Sequence, residues 1–186
     1  PRRATHGVVF TAAGAASWAF VFPVVTMVST QLVGVEQAGM ISMAFVVALL
    51  LMFLGNFGVR TYQVSDVDEE HSFFDYQVNR WITCLLMVVV GWVYCSARGY
   101  AAEMFQISMA VIAYRCVDAL ADVYEGRLQQ VDKLYLAGIS QTFRSLAALI
   151  VFCAVLAISR NSVAACTAMF IASLATFVVI TWPLAL

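Results

Sequence analysis

Charge is what this chain has least of. Only 11% of its 186 residues are Asp, Glu, Lys or Arg, and there are two histidines and three prolines; a soluble domain carries about a quarter charged residues. That scarcity excludes a water-soluble domain. The formal net charge is -1 and the basic residues are few and scattered, so the electrostatic footprint of a nucleic-acid binder is missing. Metal and redox motifs are missing too. Cys84, Cys95, Cys116, Cys153 and Cys166 fall in or near apolar runs with no Cys-x-x-Cys spacing and few histidines nearby, so they read as free thiols facing lipid or core. His6 and His71 have no second histidine or cysteine close by and read as solvated interfacial side chains. No Gly-x-Ser-x-Gly, His-Glu-x-x-His or phosphate-binding glycine loop occurs. Nothing therefore calls for an enzyme or a cofactor.

Apolar residues take the place of charge: they make up 63% of the chain, with a mean hydropathy of +0.89. Runs long enough to cross ~30 Å of hydrocarbon at ~1.5 Å per residue recur throughout. Backbone polar groups in lipid must be paired within the segment, and no alternating pattern marks a barrel, so the runs are helices. The expected architecture is all-α and polytopic, a single lobe of six transmembrane helices over residues 7–33, 37–57, 76–97, 100–123, 134–158 and 162–182. The first run is too long for a signal peptide and lacks its cleavage site. A chain that begins at Pro1 and stops just after a span, at TWPLAL, is expected to be part of a longer protein.

Basic residues in loops stay on the cytoplasmic side. Arg2, Arg3, Arg60, Arg80, Arg127 and Lys133 fall at one face, and only Arg98 and Arg160 at the other. Both termini are then expected in the cytoplasm. One loop is long, Gly58 to Asp75, with an acidic SDVDEE segment that reads as a solvated face or as a cap on the third helix. Pro23 is expected to bend the first span. Gly14, Ser17, Gly39, Ser42, Gly55 and Gly58 mark expected sites of close helix approach.

The fourth run ends in YRCVDALADVYEGRLQQVDK. At 100° per residue Arg115, Asp118, Asp122, Glu125 and Gln129 fall within an arc of about 80°. Arg115 lies ~22 Å from the start of its span and Arg144 ~15 Å along the fifth. Asp118 then falls near the inner interface, and Asp122 and Glu125 at or beyond it. A guanidinium at such depth costs a few kcal/mol unless it faces the bundle interior. One reading is a salt bridge from Arg115 to Asp118 that reduces the burial cost. The other is a cationic cavity open to the cytoplasm, in which Arg115, Arg144 and Arg80, with only one acid near the first two, meet an anion. Planar guanidinium donors suit phosphate.

The segments LGNFGVRTYQVSD, FFDYQVNRWIT and YRCVDALADVYEGRLQQVDKLYLAGISQTFRSL resemble the polysaccharide-unit flippases, the O-antigen and capsule transporters of the multidrug/oligosaccharidyl-lipid/polysaccharide exporter superfamily. The likeness spans about residues 11 to 150, and its motifs are degenerate patterns rather than catalytic signatures. It implies a bacterial inner-membrane protein that moves an undecaprenyl-diphosphate-linked sugar unit across the bilayer by alternating access. It also implies a second lobe, in the same chain or a partner, and makes Arg60, Arg80, Arg115, Asp118 and Arg144 candidate cavity or gate residues. Three readings compete with it: a drug or cation exporter of that superfamily, a scaffold lobe, and a membrane prenyl- or phosphatidyl-transferase. The last rests on Asp118-x3-Asp122 as a faint Mg²⁺ motif. A cation exporter would need deep carboxylates, yet the first, second, fifth and sixth spans have none at mid-membrane.

Overall fold

In the computed structural model, which describes residues 2–65, 71–131 and 133–185, the chain folds into a bundle of helices with no strand among the described residues. The long helices are α1 (Arg2–Val33), α2 (Val35–Asn56), α4 (Phe73–Ala97), α5 (Ala102–Gln130), α6 (Leu134–Ser159) and α7 (Ser162–Thr176). A short α3 (Val59–Ser65) follows α2, and a π-helical turn over Phe177–Thr181 leads from α7 into α8 (Trp182–Ala185). Six segments are long and apolar enough to cross a membrane. The protein is a multi-pass membrane protein.

Local chemistry sets the helix ends. Ser72 and Asp75 form a capping box at the start of α4: the Ser72 hydroxyl accepts from the Asp75 amide, and the Asp75 carboxylate accepts from the Ser72 amide at 2.9 Å, pairing donors the first turn leaves open. Asn161 caps α7 through the Ala164 amide at 3.0 Å. Asp66 to Glu70, the acids expected to cap the third span, lie outside the described residues. Within the expected 58–75 loop the chain forms α3, which docks on α5: Gln63 Nε2 donates to the Val123 carbonyl at 3.2 Å, and Gln130 Nε2 to the Gln63 carbonyl at 2.6 Å. Gly126 makes room for this, since a Cβ there would meet Gln63 Oε1 at 2.6 Å.

The fourth span departs most from expectation. It runs to Gln130 rather than ending near Val123, so the charged stripe continues a helix that still has neighbours. Helix α5 is the centre of the bundle. Fifteen of its 29 residues are buried, against eight of 26 in α6, and it packs against α2, α3, α4, α6 and α7. The apolar core gathers Val25, Ile41, Phe45, Met87, Ile112, Phe152 and Met169 from six helices. Phe53, Trp81, Leu85, Trp92 and Ile158 point outward, as lipid-facing positions do.

Close approach between helices is selective. Helix α1 packs most extensively on α6, at the point where Gly14 faces Gly138. Gly55 packs against Met87 and Ala119, and Ser42 shares a hydrogen bond with Thr26 of α1 at 3.2 Å. The expectation fails at two positions: a Cβ added at Gly39 or Gly58 would meet nothing within 4 Å. Gly58 instead supplies a turn at φ 67°.

Candidate functional site

The stripe on α5 gathers partners from four other helices. Arg115 Nη1 lies 2.9 Å from Asp118 Oδ2, Arg144 Nε 3.1 Å from Asp118 Oδ1, and Arg144 Nη1 2.8 Å from Glu125 Oε1. Arg60 of α3 lies 3.9 Å from Glu125 Oε2 and 2.9 Å from Asp122 Oδ1, and Arg80 of α4 lies 2.8 Å from Asp122 Oδ2. The result is one continuous line of alternating charge, from Arg115 through Asp118, Arg144, Glu125, Arg60 and Asp122 to Arg80. All five candidates, Arg60, Arg80, Arg115, Asp118 and Arg144, belong to it.

Both ends of the line are held. Arg80 Nη1 donates to the Gly55 carbonyl at 2.6 Å and to Asn56 Oδ1 at 3.1 Å, using carbonyls that the C-terminus of α2 leaves open. Around Arg115 three rings close in: its guanidinium carbon is 4.6 Å from the Trp18 ring centroid, 5.1 Å from Tyr114 and 5.3 Å from Phe45, where desolvated cation–π attraction is strongest. The Trp18 indole also donates to Asp118 Oδ2 at 3.0 Å. Arg60 Nη2 adds a bond to Gln129 Oε1 at 3.2 Å.

Burial separates the members. The side chains of Arg80, Arg115 and Arg144 are 1–2% exposed and those of Asp118 and Glu125 3–4%, whereas Arg60 is 32% and Asp122 20% exposed. The line is partly exposed at Arg60 and Asp122 and closed off at its Arg115 end.

Two expectations are corrected by this geometry. Arg115 and Arg144 do not carry unpaired charge beside a single acid, because Glu125 is folded in beside Asp118 by the continuation of α5. Arg60 of α3, Arg80 of α4 and Arg144 of α6 reach Asp122 and Glu125. Nor do Arg115 and Arg144 face an open cavity, since their side chains are 1–2% exposed; cavities are found instead beside Gln37, Glu103 and Arg160, and beside Tyr62, His71 and Tyr76. His71 of the second cavity packs its ring against Tyr62 and Tyr76.

Trp18 went unforeseen in the sequence, although a tryptophan inside a span needs an acceptor for its indole N–H and the deep aspartate is an obvious one. Asn56 and Gly55 went unforeseen as well, since only the fold brings the end of α2 to Arg80. The five cysteines are free thiols.

Set against family models, curated proteins and solved structures, the chain matches none.

Proposed function

We propose that this chain is a six-span lobe of a transporter that carries a lipid-linked oligosaccharide diphosphate across a bacterial inner membrane, with the line of alternating charge as its anion-handling element. The supporting observation is an imbalance. Four guanidiniums meet three carboxylates, and every carboxylate oxygen is engaged. Arg80 Nε, Arg115 Nε and the Tyr114 hydroxyl are buried without a hydrogen-bond partner among the described residues. What is left over is positive charge and N–H donors, the complement of a phosphate rather than of an organic cation.

The described arrangement is a latched one. A diphosphate carries more charge than a carboxylate and takes two N–H donors from each guanidinium, so it can replace Asp118 and Glu125 at Arg144 once α5 and α6 part. Arg60 and Asp122, where the line is partly exposed, form the side from which an anion approaches. The polyprenyl tail stays in lipid while fixed guanidiniums replace the hydration that the diphosphate loses. No bond is made or broken. A second lobe, in the same polypeptide or a partner, closes the other side of the path.

The same closure favours a second reading, an ionic staple in a scaffold lobe, because each buried carboxylate is already satisfied. One experiment separates the two. Arg144→Lys keeps the charge that Asp118 and Glu125 need but removes the planar fork. Under the transport reading, the variant made from the complete gene accumulates normally, loses surface polysaccharide, and binds undecaprenyl diphosphate about tenfold more weakly in nanodiscs, a change of ~1.4 kcal/mol. Normal export and unchanged binding at normal protein levels would leave the staple.

A further inference from the structure

At the end of the bundle away from the chain termini, where α1 passes to α2, α4 to α5 and α6 to α7, lies a cavity of about 470 Å³. That is large enough for a small-molecule site, and the transport reading makes no use of it. Its wall is polar and carries both signs of charge. Gln37 Nε2 donates to Glu103 Oε1 at 2.9 Å. A carboxylate accepts only, so this bond fixes the amide orientation and leaves Gln37 Oε1 as an acceptor, buried and without a partner among the described residues. Arg160, held at φ 54° where α6 ends, donates from Nη1 to the Leu32 carbonyl at 2.6 Å. The rest of its fork makes no hydrogen bond among the described residues. Ser162 lines the cavity and is 2% exposed, and its hydroxyl has no partner among the described residues.

A carboxylate beside a buried, unpaired amide acceptor fits a primary ammonium, which brings three N–H donors and one positive charge. A guanidinium beside a buried hydroxyl fits a phosphate. We propose that this cavity seats the headgroup of a phospholipid carrying a primary ammonium and a phosphodiester, the ethanolamine type. The ammonium lies between Glu103 and Gln37 Oε1, and the phosphate on Arg160 with Ser162. A quaternary ammonium offers no N–H to Gln37, and a glycerol headgroup leaves Glu103 without a cation. Lipid is the source the position favours. The cavity lies at the ends of membrane spans, with Leu32 and Val33 in its wall and the exposed Val35 and Ile158, 77% and 85% accessible, on the adjoining helix ends where acyl chains run.

The test uses purified, delipidated protein titrated with dioleoyl-phosphatidylethanolamine or dioleoyl-phosphatidylcholine and read by native mass spectrometry. We expect the ethanolamine lipid to be retained about fivefold better, close to 1 kcal/mol. Glu103→Gln abolishes that preference, and Arg160→Ala weakens both lipids alike. Glu103 is exposed at the start of α5, and a thermal melt of the lipid-free variant confirms that it folds as the parent does. Equal retention of the two lipids by the parent protein would overturn the proposal, and so would a preference that survives Glu103→Gln. Displacement of the bound lipid by an equal concentration of soluble phosphoethanolamine would overturn the lipid source.

Discussion

At the scale of single residues, Asp118 carries the most. One carboxylate takes Arg115, Arg144 and the Trp18 indole within 3.1 Å, tying α1 and α6 to α5 where the ion pairs are buried. Removing one partner of a buried ion pair leaves the other charge uncompensated, which costs about 3–5 kcal/mol. Asp118→Asn should lose stability on that scale, because the shape is kept while two buried guanidiniums lose their common counter-charge. Asp122 also binds two arginines, but it is 20% exposed and Arg80 keeps its bonds to the Gly55 carbonyl and Asn56, so Asp122→Asn should cost less. Unfolding of both variants in mixed micelles measures the difference; an equal loss at the two sites would mean that burial does not govern the line. The Arg115–Asp118 pair was legible in the sequence, since three residues along a helix is a contact distance. The partnership of Arg144 with Glu125 was not, because it depends on how α6 is rotated against α5.

Between helices, the decisive feature is how closely two backbones approach. Periodicity placed the five charged or polar residues on one face of α5 without further information, and composition located the spans. Sequence position could not tell which glycines face a neighbour, since phase around the bundle is set by the partner. Gly39 and Gly138 are both helical glycines, yet a Cβ at 138 runs into the α1 backbone at Phe10 and Thr11, while one at 39 meets nothing within 4 Å. Gly138→Ala should therefore push α1 off α6 and destabilise the fold by about 1–3 kcal/mol, the usual cost of overpacking. Gly39→Ala should be neutral or slightly stabilising, because alanine loses less backbone freedom on becoming helical. The same micelle titration reads both. A loss at Gly39 equal to that at Gly138 would contradict the packing of α1 on α6.

For the molecule as a whole, what matters is which end of the bundle meets which compartment. Arg60 and Lys133 lie at the end that carries the chain termini, with Arg80 and Arg127 in the adjoining helix turns, while Arg98 and Arg160 lie at the opposite end. If basic loops are retained in the cytoplasm, the end that carries the termini is expected there, and that expectation gives the sense of both proposed sites. The exposed side of the charge line, at Arg60 and Asp122, would then open toward the compartment where a lipid-linked sugar would be loaded. The proposed headgroup cavity would then meet the outer leaflet. Glu36 and Lys133 are exposed residues at opposite ends, which makes them direct reporters. In a variant whose five native cysteines are replaced, Glu36→Cys should react with a membrane-impermeant maleimide on intact cells, whereas Lys133→Cys should react only after the cells are opened. The reverse pattern would put the guanidinium line at the outer face, where an anion moving outward would meet it on leaving rather than on loading, and the transport reading would fail even with every ion pair in place.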